Sequence, residues 1–382
     1  MYPVTVYNTL TQRKEEIKGR GLDPSHVNLY VCGPTVYDKP HIGHARSYVF
    51  FDTLKKVLRA SGYTVTHLQN FSDVDEKIDA TAAAEKTDVR TVSDRNIDAF
   101  LNGMDRLMVS RADRYVRASE NRQFMHHITG LLLASGRCYR AGENIYFDAS
   151  TGGGFGSLLH DSLQNLICGN EAESYDFVKH NMEDFTIWLG DYISDDWKAG
   201  GRPSWNIECF SIVHRWFGCE LDIQGGGLDL VFPHHEVGSV ISRSYCRTEF
   251  ASYYIHNAYV TMNADKMSKS LRNFVYLDEL LEKHTPAAIR LYVLSHPFTK
   301  NMEFRESDLT EYEALQETLY NEMKKRGMSP TGAAVPPLRD GRMLRLFRDN
   351  IQTDQVIEIL REQISSLSNE ELMTAIRLLG LV

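Results

Sequence analysis

Long apolar segments are absent from this sequence of 382 residues. No stretch approaches the ~18 consecutive apolar residues of a membrane span, and the first residues lack the basic-then-apolar pattern of a secretion signal. We therefore expect a cytoplasmic protein without a membrane partner.

Cysteine is scarce, and an excess of basic residues is lacking. The net charge is −9 and the pI about 5.9, so a nucleic-acid partner would have to meet a local basic patch. The six cysteines are Cys32, Cys138, Cys168, Cys209, Cys219 and Cys246. They form no CxxC pair and no dense framework, which predicts reduced thiols, some of them bound to a metal.

What is present is a globular composition with an α/β beginning. A content of 42% hydrophobic and 24% charged residues in a chain of this length predicts two or three domains. Residues 27–33 are typical of a buried strand, residues 43–60 have helical spacing, and residues 63–70 are typical of a second strand. Because parallel strands are joined by a right-handed crossover, we predict the opening βαβ unit of a nucleotide-binding sheet.

Helical segments interrupt this alternation. Helices are predicted at 97–108 and 121–135, and the sheet is predicted to resume with strands at 205–209, 221–227 and 253–256. From residue 307 onward the sequence predicts helices, with a linker at 329–337 and capping boxes at Asp308…Glu311 and Ser368…Glu371.

This order of elements predicts an α/β fold. It would contain a doubly wound parallel sheet, an inserted connective domain and a C-terminal helical bundle. The predicted boundaries are 1–97 and 201–262 for the two halves of the catalytic domain, 98–200 for the insertion, 263–306 for a loop region and 307–382 for the helical bundle.

Two histidines stand at the start of the first predicted helix, in His41-Ile42-Gly43-His44. A helix N-terminus offers unpaired N–H groups and the positive end of the helix dipole, and Gly43 lets the backbone approach a phosphate. Because His41 and His44 are three residues apart, both can hydrogen-bond a phosphate as negative charge shifts in a transition state. Two incidental loop histidines are the alternative for this motif alone.

A second motif, Lys266-Met267-Ser268-Lys269-Ser270, stands past the middle of the chain. It lies between a strand-like stretch at 259–262 and a helix predicted near Leu277, so it forms a polar loop that can close over pyrophosphate. A solvated basic loop is the alternative for this motif alone. Together with the two histidines, Lys266 and Lys269 predict chemistry at the α-phosphate of ATP, for which a dehydrogenase or a binding module has no use.

Three glycines, Gly225-Gly226-Gly227, follow a predicted strand and precede Asp229. Bare backbone there can lie against a planar base while the carboxylate binds ribose hydroxyls. Tight turns also favour glycine, so the run alone is weak evidence of a ligand.

Cys32, Cys209 and His234 are predicted at the carboxyl ends of three strands, where open α/β sheets bind ligands. Two thiolates and one imidazole suit zinc, and three protein ligands leave a fourth position for a substrate. A role as small core residues is the alternative for the two cysteines.

In these motifs the sequence resembles the cysteinyl-tRNA synthetases, a family of class I aminoacyl-tRNA synthetases. The resemblance covers roughly residues 1–330. It rests on seven ordered segments, at 30–37, 41–44, 71–77, 205–209, 225–230, 232–236 and 266–270.

The resemblance implies a reaction and its participants. Cysteine and ATP, the latter with magnesium, would form cysteinyl-adenylate and pyrophosphate, and the acceptor stem of tRNA(Cys), contacted by residues 263–306, would displace AMP. One zinc ion on Cys32, Cys209 and His234 would bind the substrate thiolate and reject serine. The other implied roles are catalysis by His41, His44, Lys266 and Lys269, ATP binding by Gly33, Gly43, Gly225, Gly226, Gly227, Asp229, Met267 and Lys269, and substrate binding by Tyr37, Ser72 and Trp205.

Several positions depart from the family pattern around the predicted pocket. Gly238 stands where a zinc-associated glutamate is expected, Asn206 and Gln224 each replace a histidine, and Arg272 replaces a glycine. The chain ends at Val382 without the small domain that reads the anticodon. Residues 301–382 carry ten basic and fourteen acidic side chains, a poor surface for phosphate.

These departures leave two alternatives to tRNA aminoacylation. Mycothiol cysteine ligase resembles the same catalytic core, lacks the anticodon domain and joins cysteine to an amino sugar, and Gln224 and Gly238 also resemble that branch. A small amine is therefore the alternative acceptor. A non-enzymatic paralogue would show eroded histidines or lysines, and none is eroded. We expect a monomer, because no long apolar helical face lacks a predicted packing partner.

Overall fold

The computed structural model describes residues 1–158, 160, 179–193, 196, 198, 200–263, 265–266, 274–328 and 341–381, with 265 and 266 described by their backbone. The predicted linker at 329–337 lies outside these ranges. Among the described helices, none is long and apolar enough to cross a membrane.

Short strands and longer helices make up the described chain. The strands are β1 Thr5–Asn8, β2 Arg13–Glu16, β3 His26–Val31, β4 Thr64–Phe71, β5 Arg114–Arg117, β6 Cys138–Ala141, β7 Asn144–Phe147, β8 Phe185–Leu189, β9 Arg202–Pro203, β10 Leu221–Gly227, β11 Ala251–Asn257, β12 Val260–Met262, β13 Asp265–Lys266 and β14 Met302–Glu303. The helices are α1 Ile42–Ala60, α2 Glu76–Glu85, α3 Val89–Arg106, α4 Ala118–Ala134, α5 Trp205–Phe217, α6 Glu236–Tyr245, α7 Leu277–Lys283, α8 Pro286–Leu294, α9 Leu309–Lys325, α10 Arg342–Arg348, α11 Thr353–Gln363 and α12 Asn369–Leu379.

Five parallel strands form the central sheet, in the order β11-β10-β3-β4-β5. The chain runs outward from β3 through β4 and β5 and then resumes on the other side of β3 with β10 and β11. The predicted α/β class and the parallel β3-α1-β4 unit are confirmed. Sheets of this kind bind ligands outside the carboxyl ends of the strands, at the point where the winding direction changes, and that point lies between β3 and β10.

The central sheet is covered on both faces. Leu29 and Val31 of β3 are buried in a core that includes α1 and the C-terminal helices, whereas Tyr30 and Cys32 are buried in a second core with α4, α5 and α6. Because alternate residues of a strand point to opposite faces, β3 contributes to both cores.

A separate antiparallel sheet contains β6, β7, β8 and β9. Most of it falls in the range 98–200 that is predicted as an insertion. From the same range, however, β5 joins the central sheet through β4. The domain boundaries stay predictions.

The predicted strand at 205–209 is wrong, because these residues begin helix α5. Ser204 has an extended backbone conformation and its hydroxyl accepts a hydrogen bond from the Asn206 N–H, which caps the helix. Five residues are too few to separate a buried strand from a buried helix by periodicity, and the continuous burial of residues 206–213 hides the helical pattern.

One of the two predicted capping boxes is present. Ser368 and Glu371 exchange both hydrogen bonds at the start of α12. The box predicted at Asp308 and Glu311 does not form, because a 3₁₀ turn at Glu306–Asp308 leads directly into α9. Asp308 therefore has helical dihedral angles and its side chain makes no capping hydrogen bond.

A buried ion pair ties the C-terminal helices to α1. Arg290 donates to Asp52 Oδ2 at 2.8 Å and also to the carbonyl oxygens of Leu107 and Leu379. Burial alone would raise the pKa of Asp52, but the charges of Arg290 and Lys56 outweigh it and hold this pKa well below its usual range.

Candidate active site

A cavity of about 370 Å³ opens at the carboxyl ends of β3, β10 and β11. It brings together residues that the sequence places far apart, from both halves of the central sheet. The described residues lining it are Cys32, Gly33, Pro34, Thr35, Tyr37, Asp38, Lys39, His41, Gly43, His44, Arg46, Ser47, Tyr48, Lys77, Trp205, Gly227, Asp229, Leu230, Asn257, Ala258, Tyr259, Val260 and Phe274.

His41 and His44 lie where α1 meets this cavity, as the sequence predicts. His41 is the N-cap residue: its Nδ1 accepts from the Gly43 N–H at 3.1 Å, and His44 Nδ1 accepts from the His41 N–H at 3.2 Å. The two rings stack with centroids 3.9 Å apart. Because Nδ1 accepts in both rings, the proton of a neutral imidazole at either position is on Nε2.

The charge state of His44 follows from its surroundings. Burial lowers the pKa of His44 to about 4, although Asp229 and Asp38 act in the opposite direction. His44 is therefore neutral at pH 7 and acts as a hydrogen-bond donor, not as a cation.

The glycines of the site are needed for close packing. A Cβ at Gly33 would lie 1.6 Å from the Asn70 carbonyl oxygen, and a Cβ at Gly225 would lie 2.5 Å from the Phe51 ring. At Gly226 the nearest atom belongs to Leu230, and the next two belong to His235. Gly33, Gly43, Gly227 and Asp229 line the cavity, whereas the contact of Gly225 and Gly226 with a nucleotide stays a prediction.

Cys32, Cys209 and His234 form one buried cluster, with their ligand atoms all within 4.8 Å of one another. The two sulfur atoms are 3.7 Å apart, and Cys209 Sγ lies 2.9 Å from His234 Nε2. Two sulfurs bound to one tetrahedral zinc ion at ~2.3 Å would be about 3.8 Å apart. Burial raises the pKa of the Cys209 thiol well above its usual range, so a cation is needed to favour its thiolate. The donor set and the sulfur–sulfur distance fit zinc.

The route by which this cluster assembles differs from the prediction. Cys32 does follow the end of β3, but Cys209 lies in α5 and His234 lies in a turn at Val231–His235 that leads into α6. The expectation that all three residues end strands is therefore wrong for Cys209 and His234. Contacts between α5 and α6 bring these two ligands to the sheet.

A hydrogen-bonded chain leads away from Cys32. His235 Nε2 and Gln224 Nε2 each lie 3.2 Å from its sulfur, and His235 Nδ1 lies 2.8 Å from His256 Nε2. Burial lowers the pKa of His235 well below its usual range and that of His256 to about 3, so both imidazoles are neutral. Gln224, a departure from the family pattern, is thus a direct neighbour of the sulfur.

Glu208 is a buried carboxyl group beside the cluster, and sequence reasoning assigned it no role. Its Oε1 accepts from Ser72 Oγ at 2.6 Å and from Asn70 Nδ2 at 2.7 Å. Burial raises the pKa of Glu208 to about 8, although both hydrogen bonds oppose this shift. The hydroxyl of Ser72, a predicted substrate contact, is therefore held by Glu208.

Trp205 and Tyr37 form part of the cavity wall. The indole of Trp205 stacks on His234 with ring centroids 3.8 Å apart and remains 37% exposed. Lys77 Nζ lies 5.4 Å from the centre of the Tyr37 ring.

Sequence reasoning also assigned no role to Asn257. Both polar atoms of its amide are buried without a hydrogen-bond partner among the described residues, and the residue lines the cavity. A buried amide in this state is available to a ligand. Asn257 directly follows the predicted strand at 253–256, so the rule that ligands bind at the carboxyl ends of strands offered a signal.

The second motif lies almost entirely beyond what the structure describes. Lys266 belongs to β13 and is described by its backbone, while Met267 and Lys269 fall outside the described residues. Phe274, just past this motif, contacts the His41 ring edge-on at 4.6 Å. The roles of Lys266, Met267 and Lys269 stay predictions.

Comparison with known proteins first defines a class. Residues 19–314 match the model of the "tRNA synthetases class I (C) catalytic domain". Methionyl-tRNA synthetase of Mycobacterium tuberculosis, in complex with methionyl-adenylate, shares the fold with a TM-score of 0.65 and 16% identity, over 92% of this chain and 89% of its own. The chain therefore has the catalytic domain and the fold of a class I tRNA synthetase.

The particular family follows from sequence relatives. The Cysteine--tRNA ligase of Syntrophobacter fumaroxidans is 40% identical over 319 residues, which are 82% of this chain and 64% of that protein. That of Thermococcus gammatolerans is 37% identical over 87% of this chain and 70% of its own length. The chain belongs to the cysteinyl-tRNA synthetase family, and it spans about two thirds of the length of these relatives.

Proposed function

We propose that the chain activates cysteine with ATP and transfers the cysteinyl group to tRNA(Cys). One observation carries this proposal: a single cavity is lined both by Cys32, a member of the thiol–imidazole cluster, and by His41, Gly43 and His44 at the N-terminus of α1. The relatives named Cysteine--tRNA ligase support the choice of amino acid and acceptor.

The histidine motif is the proposed phosphate end of the cavity. His41 and His44 would donate hydrogen bonds to the α-phosphate as its charge shifts during attack by the cysteine carboxylate. A neutral His44 with its proton on Nε2 suits this role, because it can donate one hydrogen bond to the phosphate. Lys266 and Lys269 are proposed to close over the pyrophosphate, with Met267 against the nucleotide.

The nucleoside would lie along the carboxyl ends of β10 and β11. Asp229 is proposed to bind ribose hydroxyls, and the Asn257 amide is placed to hydrogen-bond a ligand. The backbone of Gly33, Gly43 and Gly225–Gly227 would approach the nucleotide without a Cβ in the way.

The cysteine end would hold one zinc ion on Cys32, Cys209 and His234. When bound, zinc supplies a preference for a thiolate over the alcohol of serine. Trp205 orients His234 by stacking and, with Tyr37, would bound the amino-acid pocket. Ser72 and Asn70 each donate a hydrogen bond to Glu208, which would hold them beside this pocket.

The exchange of pyrophosphate into ATP tests activation. We expect exchange that requires cysteine and is not supported by serine. Cysteine-independent exchange, or none with any amino acid, would remove the proposal.

The release of AMP tests the acceptor. The protein is given cysteine and ATP with total tRNA or, in parallel, with glucosaminyl-inositol. We expect cysteinyl-tRNA with the first and no stimulation by the second. Stoichiometric AMP release with the amine alone would replace tRNA aminoacylation by the small-amine ligase, for which Gln224 and Gly238 are the sequence arguments.

We further propose that the protein is cytoplasmic and monomeric, with ATP, magnesium, cysteine and tRNA(Cys) as its ligands. Size-exclusion chromatography with light scattering tests the monomer, and a stable dimer would contradict it. Fractionation of cells expressing the protein tests the location, which recovery in a membrane pellet would contradict.

A further inference from the structure

A second group of metal-binding side chains lies at the C-terminal ends of α5 and α6. The ligand atoms of His214, Cys219 and Cys246 all lie within 4.8 Å of one another. A disulfide joins Cys219 to Cys246, so the expectation of reduced thiols throughout the chain is wrong for this pair. All three residues are half-buried.

The fold explains why these residues meet. Helix α5 ends at Phe217, and Gly218, with φ of +61°, turns the chain so that Cys219 precedes β10. Cys246 caps the C-terminus of α6, which packs against α5. The two helices therefore converge on one point, although the two cysteines are 27 residues apart in sequence.

The position of the imidazole distinguishes this group from an ordinary disulfide. His214 Nδ1 lies 3.8 Å from Cys219 Sγ and 4.0 Å from Cys246 Sγ. A nitrogen and a sulfur on one tetrahedral zinc ion, at ~2.0 Å and ~2.3 Å from it, would be about 3.5 Å apart. One nitrogen thus already stands at nearly the required distance from both sulfurs.

Two aromatic rings hold the His214 ring in place. It stacks on Phe210 at 5.7 Å and meets Tyr245 edge-on at 5.2 Å. The imidazole nitrogen is a common zinc ligand in proteins. Because the group is half-buried, water can reach a fourth coordination position.

We propose that His214, Cys219 and Cys246 form a second metal site, which binds Zn²⁺ through one imidazole and two thiolates when the cysteines are reduced. The disulfide is the oxidised, metal-free form of this site. In a reducing cytoplasm, disulfides are usually transient or redox-sensing.

The interconversion balances with a peroxide as the oxidant. The two thiolates give up two electrons and form the S–S bond, and zinc leaves as Zn²⁺. The O–O bond of hydrogen peroxide takes the two electrons and two protons and yields two water molecules. A dithiol reductant reverses the change by thiol–disulfide exchange.

This site cannot share an ion with the cluster at the cavity. Cys209 and His214 both lie in α5 and are five residues apart, which is about 7.5 Å along the helix at 1.5 Å per residue and about twice the separation of two ligands on one zinc ion. The two sites therefore predict separate zinc ions.

The test is the zinc content of the full chain, purified with reductant, equilibrated with zinc and desalted. We expect about two ions per chain in the reduced wild type, since each three-ligand cluster would hold one. We expect one fewer in Cys219→Ser and Cys246→Ser, weaker binding of the second ion in His214→Ala, and no change in the control Cys138→Ser, whose buried thiol lies in β6. Because all proteins are reduced, the variants lose no disulfide relative to wild type, and thermal melting checks that each is folded.

Oxidation supplies the second measurement. Hydrogen peroxide should release one more zinc ion from the wild type than from Cys219→Ser and should consume two titratable thiols as the disulfide forms. Dithiothreitol followed by zinc should restore both the thiols and the ion. Equal zinc content in the reduced wild type and Cys219→Ser would overturn the proposal, as would loss of an ion in Cys138→Ser. Retention of the second ion with unchanged affinity in His214→Ala would remove the imidazole from the site. If Cys209→Ser alone keeps the zinc content of wild type, the cavity site fails and this one does not.

Discussion

Two clusters of cysteine and histidine lie at opposite ends of the same two helices, and they differ in burial. Cys32, Cys209 and His234 are 6%, 5% and 3% exposed, whereas His214, Cys219 and Cys246 are half-buried. The first cluster reaches the cavity through Cys32 and its thiols are free, whereas the second carries a disulfide.

The difference in burial predicts two different uses for the same kinds of donor. Deep burial makes the Cys209 thiolate costly unless a cation neutralises it, which suits a permanent ion with one position left for a substrate. Partial burial leaves the second pair accessible to oxidants and reductants.

The comparison of the two clusters requires that zinc content falls only when a zinc ligand is removed. It would fail if the removal of an unrelated buried polar group also lowered the zinc content. Asp52→Ala removes the partner of buried Arg290 and should lower the free energy of unfolding by about 3–5 kcal/mol, measured by urea titration. Zinc content should not change. Glu85→Ala, which breaks an exposed pair with Arg95, should leave the stability nearly unchanged.

The ion pair also predicts an acid dependence. Since the pKa of Asp52 in the folded state is below its unfolded value of about 3.9, its stabilising effect is complete above that value and is lost as the pH falls further. Wild type should therefore lose more stability below pH 4 than Asp52→Asn does. Parallel curves would contradict the assignment.

His44→Ala tests the role of the histidine motif separately from zinc binding. Removing a donor to the developing charge should lower the rate of cysteine-dependent exchange by about 10²–10³-fold without loss of zinc. The exposed His127 offers the matched control, and His127→Ala should retain the wild-type rate. A rate within a few-fold of wild type in His44→Ala would show that the histidine motif has another role.

Substitutions of Glu208 can show whether its negative charge or its hydrogen bonds stabilise the region beside the buried cluster. Because its pKa of about 8 keeps it protonated at pH 7, Glu208→Gln should retain both accepted hydrogen bonds and nearly all stability. Glu208→Ala leaves the donors of Ser72 and Asn70 unpaired and should cost about 1–3 kcal/mol for each. Equal loss in the two variants, by urea titration at pH 7, would refute this account.

The same carboxyl group has a signature at higher pH. The pKa of Glu208 in the folded state lies above its unfolded value of about 4.3. At a pH between these two pKa values the folded state binds more protons than the unfolded state, so stability should fall as the pH rises from about 4 to 8. Glu208→Gln should remove this slope. A slope that persists unchanged would assign it to other groups.

Much of the sheet and of the histidine motif was predictable, because α1 has a long helical period and His41–His44 stands at its start. The strand predicted at 205–209 failed because continuous burial of α5 hides its period. The cavity cluster was found from residue chemistry, although the supporting argument about strand ends holds only for Cys32. Spacing carries no trace of the Cys219–Cys246 pair, whose meeting depends on how α5 packs on α6. Asn257 directly follows a predicted strand, so the rule about strand ends could have found it, whereas Glu208 became visible as a candidate only once its burial and hydrogen-bond partners were known.

The most direct test of the central claim is the preference for cysteine over serine in pyrophosphate exchange, measured together with zinc content. Cys209→Ser should lose both the ion at the cavity and the preference, whereas Cys246→Ser should keep the preference of wild type. A Cys209→Ser variant that still prefers cysteine as strongly as wild type would contradict the account.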